Sequence, residues 1–113
     1  MASHSFPNYL LAHRKRLALS QREVACLLGA DGGAKVCRYE RFVRIPSLET
    51  ALAYEAAFRR PVRELFGGLY AKIQKDVAAR ARVLVGNGHH SGGKALVARK
   101  REILGRIAAR AHS

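Results

Sequence analysis

Acidic residues and cysteines are scarce in this chain, and long apolar runs are missing. Eight Asp and Glu stand against 21 Lys and Arg over 113 residues, a formal charge of +13. Such an excess argues against a typical soluble enzyme and for a polyanionic partner, nucleic acid ahead of an anionic membrane surface. Two cysteines, Cys26 and Cys37, are too few for a disulfide scaffold and form no C-x-x-C pair of the kind that binds zinc, so a reducing cytosol is expected. No apolar run approaches the roughly 20 residues that a membrane span requires. The stretch MASHSFPNYLLAHRKR carries its charges after a short apolar segment and has no signal-peptide core. The expectation is a soluble, cytoplasmic protein with no membrane partner. No Ser/His/Asp set, phosphate loop or paired carboxylate is visible, so the sequence assigns no catalytic residue, no cofactor and no metal.

Helical spacing dominates what is there, and no strand signal or internal repeat interrupts it. Leu10, Arg14 and Leu17 predict a first helix from Pro7 to Leu17. Ser20 and Glu23 form an S-x-x-E capping box that opens a second helix, with Val24, Leu27 and Leu28 as its stripe and Gly29 as its stop. After GADGG, Val36 and Tyr39 give a third short helix an inner face and turn Lys35 and Arg38 outward. Ser47 caps a fourth, with Leu48, Ala51, Leu52, Glu55 and Phe58 on one side. Pro61 suits the start of a fifth, carrying Val62, Leu65 and Phe66. Gly67 and Gly68 interrupt the pattern, yet Leu69, Ile73, Val77 and Leu84 continue a helical seam to about Val85.

The segment GNGHHSGG reads as a flexible linker, and KALVARKREILGRIAARA as a basic amphipathic helix with Val97, Ile103, Leu104 and Ile107 on one face. Residues 71–113 hold ten Lys and Arg, among them Arg110, against Asp76 and Glu102. The extension thus carries more of the excess charge than the rest. Three roles are open for the last segment: a nucleic-acid arm, which the charge favours, a membrane-surface helix, or a docking helix for a partner protein.

A capped helix, a glycine-containing turn and a second short helix make a helix-turn-helix. With SQREVA, Gly29, VCRYER, PSLETALAYEAAF and PVRELF in order, the segment from Leu10 to Phe66 resembles the XRE family, the DNA-binding domain of the lambda repressor and Cro. The resemblance implies a five-helix domain whose third helix enters the major groove. It gives Gln21 a phosphate contact and a bracing role toward the third helix, Ser20 the cap, and Ala25 the small side chain that lets the second and third helices approach. It also pairs Arg14 with Glu40 as a structural ion pair, and sets Arg41 and Arg44 on the sugar-phosphate backbone.

One departure from the family is specific to this chain. Between Gly29 and Glu40 it holds one residue more than the usual spacing, and Asp31, Gly32, Gly33 and Ala34 occupy the place of the common polar readers. Two readings stay open. Lys35 and Arg38 are the base-edge contacts, or Gly32 and Gly33 let the backbone approach a phosphate closely. Cys37, with cationic neighbours, is a candidate redox switch, but a lone helical cysteine is more simply a small filler. The adjacent His89 and His90 lack the further ligands and fixed geometry of a metal site.

The sequence therefore predicts an all-α protein: a lambda-repressor-like helix-turn-helix domain over 7–70, a helical extension over 71–85 that serves dimerisation, a linker over 86–93, and a basic tail over 94–113. The expected partners are double-stranded DNA and a second copy of the chain. The competing reading is a non-catalytic interaction module or a nonspecific nucleic-acid or nucleoid binder with a degenerate helix-turn-helix.

Overall fold

Helix starts and stops in this chain are set by local chemistry that can be followed bond by bond. The computed structural model describes residues 6–87 and 92–109, and among these every regular element is a helix. The helices are α1 (Leu10–Arg16), α2 (Gln21–Leu27), α3 (Ala34–Glu40), α4 (Leu48–Phe58), α5 (Val62–Leu65), α6 (Gly67–Asn87) and α7 (Lys94–Ala109). None is long and apolar enough to cross a membrane. The chain divides into two compact units, Met1–Tyr70 and Ala71–Ser113.

The capping box of α2 is complete: the Ser20 hydroxyl accepts from the Glu23 amide at 3.0 Å, and the Glu23 carboxylate accepts from the Ser20 amide at 2.8 Å. Ser47 caps α4 by accepting from the Thr50 amide at 3.2 Å. Glu55 Oε1 accepts from the Val62 amide at 2.9 Å, so a side chain of α4 caps α5.

The ends of α1, α2 and α3 repeat one device. In each, paired backbone bonds reach back over the last turn: Leu19 to Arg14 and Ala18 to Lys15, Ala30 to Ala25 and Gly29 to Cys26, Val43 to Arg38 and Phe42 to Tyr39. The device needs one left-handed residue, which L side chains adopt at a cost of about 1 kcal/mol. Gly29 meets the need freely at φ +77°, while Ala18 and Phe42 hold φ +61° and +63°.

The first unit closes around Tyr54, which is fully buried with Leu10, Leu65, Val24 and Val36. Its ring meets Tyr39, Phe58 and Phe66 edge to face, with centroids 6.2, 5.3 and 6.1 Å away. Each such pair contributes about 0.5–1.5 kcal/mol beyond the area it buries. Burial pushes the Tyr54 phenol above the ordinary tyrosine value, and the Glu40 charge adds to that. The hydroxyl has no hydrogen-bond partner among the described residues.

Several expectations need correction. Helix α1 begins at Leu10 rather than Pro7, because Asn8 Oδ1 accepts from the Leu10 amide at 3.0 Å and the preceding backbone is engaged elsewhere: the Tyr9 amide donates to the Leu65 carbonyl. The inner face of α4 is Ala51, Tyr54 and Phe58; Leu48 is 74% exposed, and Leu52 and Glu55 also face solvent. Gly67 and Gly68 do not break the helix but open α6. A Cβ on Gly67 would meet the Tyr9 ring at 3.1 Å and one on Gly68 would meet Pro7 at 2.7 Å, so glycine there permits the N-terminal segment to pack.

Within the second unit the expected α6 seam is turned to solvent. Ile73, Val77 and Leu84 are exposed, and the buried residues are Ala78 and Ala81. Gly86 and Asn87, expected in the linker over 86–93, belong to α6; residues 88–91, with His89 and His90, lie outside the described residues. Over the basic tail, α7 is helical to Ala109, and Arg110 and the residues after it are also outside them. Arg82 donates to the Ala108 carbonyl at 3.1 Å, linking α6 to α7.

Candidate nucleic-acid interface

Helix α3 has an inner and an outer side with opposite chemistry. Val36 and Tyr39 enter the core, and Glu40 is buried beside them. A lone buried carboxylate is strongly unfavourable, so its partners decide whether the helix holds. Arg14 supplies a two-point contact: Nε to Glu40 Oε2 at 2.5 Å and Nη2 to Oε1 at 3.1 Å. Gln21 Nε2 donates to the same Oε1 at 3.1 Å. The remaining guanidinium nitrogen, Nη1, donates to the Leu19 carbonyl at 2.9 Å. The Glu40 bond holds the Arg14 pKa above its already high ordinary value, against the opposing effect of burial. One carboxylate thus ties α1 and α2 to α3.

The start of α3 is fixed by contact with α2. A Cβ on Gly33 would lie 3.3 Å from the Gln21 Cβ, tighter than most real contacts, so the absence of a side chain lets the two helices approach. Gly33 itself has an ordinary helical φ of −74°. Gly32 differs, because a Cβ there would meet nothing within 4 Å. Ala25 is buried in the same unit. At the other end, Asn8 Nδ2 donates to the Tyr39 carbonyl at 2.8 Å. Sequence reasoning missed this tether; its one signal was an asparagine just ahead of a helix start.

The outer side carries Lys35 and Arg38, both exposed, with Arg41 at the helix end and Arg44 in the segment beyond it. The amides of Val43 and Arg44 both point at the Arg38 carbonyl, at 2.9 and 3.4 Å, so the chain carrying these cations is folded back against the last turn. Among the described residues none of the four cations makes an ion pair. The acids of the first unit are largely engaged elsewhere: Glu23 and Glu55 cap backbone amides, Glu40 holds Arg14, and Glu64 faces Arg60 at 3.7 Å. Asp31, Gly32, Ala34, Lys35 and Arg38 line a shallow concavity of about 220 Å³ on this side.

The structure therefore brings Arg14, Gln21 and Glu40 together in one buried network and sets Lys35 and Arg38 together on the outer face of α3. Gln21 is half-buried, with its amide directed at Glu40. Cys37 is partly buried and Cys26 exposed; both thiols are free. No cluster of His, Cys, Asp and Glu suited to a metal occurs among the described residues. Compared with known proteins, the chain matches no family model, no curated protein and no solved structure.

Proposed function

We propose that the chain is a sequence-specific double-stranded DNA-binding protein, a transcriptional regulator of the lambda-repressor-like helix-turn-helix type that lays α3 in the major groove. One observation carries this reading: α3 is locked on its inner side by Val36, Tyr39 and the Glu40 network, while its outer side offers Lys35 and Arg38 without acidic partners among the described residues. A helix that cannot rotate and carries unpaired cations is suited to a groove lined by phosphates and base acceptors. Arg41 and Arg44 take the sugar-phosphate backbone, and Gln21, besides bracing Glu40, lies where a phosphate contact is expected. The net charge of +13 supplies long-range attraction to the duplex.

A homodimer belongs to the same reading, supported by the exposed Ile73, Val77 and Leu84 on α6. A monomeric mass at micromolar concentration in sedimentation would count against it.

The experiment is fluorescence anisotropy of the full chain with the duplex upstream of its own gene and with a shuffled duplex, at low and near-physiological salt. A regulator prefers its operator by a factor of about a thousand or more. If random-site selection also yields no preferred sequence and affinity falls with salt alike on every duplex, the protein is a nonspecific binder.

A further inference from the structure

The concavity beside α3 joins groups that a simple phosphate clamp would not contain. Lys35 and Arg38 stand three residues apart on the exposed side of the helix, and Asp31, from the preceding turn, lines the same hollow. A carboxylate at a phosphate contact repels the ligand. Nor does Asp31 neutralise its neighbours, since it forms no ion pair with Lys35 or Arg38 among the described residues. Gly32 and Ala34, which complete the lining, add almost no bulk to it.

Two donors and one acceptor in a shallow hollow match a particular partner. In the major groove a G·C pair presents two adjacent acceptors, guanine N7 and O6, followed by one donor, the cytosine N4 amino group. An A·T pair replaces the adjacent acceptors with an acceptor and a donor, and adds the thymine methyl group. The fork of an arginine fits the guanine acceptors with two parallel bonds, which a lysine cannot reproduce.

Resting on the DNA-binding reading above, we propose that Asp31, Lys35 and Arg38 form a base-reading set for G·C pairs. Arg38 donates to guanine N7 and O6, Asp31 accepts from a cytosine N4 amino group, and Lys35 donates to an acceptor of the adjoining pair. Asp31 acts largely by exclusion: facing a thymine O4 or a guanine O6, its carboxylate meets another acceptor and repels it. The residue therefore lowers affinity for random DNA while raising discrimination.

The test is random-site selection with the full chain, followed by anisotropy on the selected duplex and on versions with single G·C pairs replaced by A·T. Wild type, Asp31→Ala, Arg38→Ala and Arg38→Lys are compared, with circular dichroism to verify that each is folded. The selected sites are expected to share a G·C pair at a fixed position, whose replacement weakens wild-type binding about tenfold or more. Arg38→Ala and Arg38→Lys should both lose that preference, although the second keeps the charge. Asp31→Ala should bind random duplex more tightly and discriminate less. If selected sites lack a fixed G·C pair, or Asp31→Ala tightens every duplex equally with its preference intact, the base-reading set is wrong and DNA binding stands. If no duplex binds even at low salt, both readings fail together.

Discussion

The first unit buries Tyr54, Leu10, Leu65, Val24 and Val36 completely, whereas the described part of the second buries only Ala78 and Ala81. The same contrast runs through their charges. In the first unit one ion pair, Arg14 with Glu40, is shielded, with side chains 13% and 3% exposed, beside the open Arg60–Glu64 pair; in the described part of the second, Lys72 with Asp76 and Arg106 with Glu102 both pair in the open, four residues apart along their own helices. The Lys72 bond holds the Asp76 carboxyl below its ordinary range, but so exposed a pair is readily screened by salt. Burial fixes the inner side of α3, through Val36, Tyr39 and Glu40, while its cations project from the exposed side. Those of α6 and α7 ride on helices with far less buried surface to hold them.

The sharpest way to break this contrast is Arg14→Ala. It leaves the Glu40 carboxylate buried without its cation and should cost about 3–5 kcal/mol in denaturant unfolding. A loss below about 1 kcal/mol would mean that the network does not lock α3. Next comes a matched pair of truncations. Leu10→Ala should cost about 2–5 kcal/mol, and Leu104→Ala, at a half-buried site of α7, about 1 kcal/mol or less. Equal costs would erase the distinction between the units.

Alkaline pH probes the core by a different route. The Tyr54 phenol is kept neutral in the folded state, while in the unfolded chain it ionises near its ordinary value of 10.0. Stability present below that pH is therefore lost as pH rises above it, because only the unfolded chain releases the proton. Tyr54→Phe should flatten this alkaline limb in thermal melts. At neutral pH it should leave stability unchanged or raise it by about 1 kcal/mol, since a buried hydroxyl without a partner is removed. The smallest effect belongs to Ala18→Gly, which relieves the left-handed φ of +61° at an exposed turn; a gain of about 0.5–1 kcal/mol is expected from chemical denaturation.

Features closed over three or four residues could be read directly. The capping box at Ser20 and Glu23, the stop at Gly29 and the division of α3 into Val36 and Tyr39 against Lys35 and Arg38 all depend on neighbours one turn away. Where a distant residue decides, spacing misleads. On α4, Leu48 and Leu52 look as apolar as Ala51 and Tyr54, and only the surrounding aromatic rings select the second pair. Gly67 and Gly68 read as a break because the reason for them is Pro7 and Tyr9, some 60 residues earlier in the chain. Likewise Arg14 and Glu40 are 26 residues apart, and a resemblance rather than any periodicity brought them together. For the outer face, spacing found the cations, while the concavity that unites Asp31 with Lys35 and Arg38 had no linear signal.

The two adjacent glycines before α3 differ in what they tolerate. Gly33 is pinned by Gln21, so a side chain there forces α2 and α3 to adjust, while Gly32 borders open space and has no conformational need for glycine. A side chain can therefore be added at position 32 without moving either helix, whereas one at position 33 displaces α2 from α3. Tolerance and constraint thus meet across a single peptide bond.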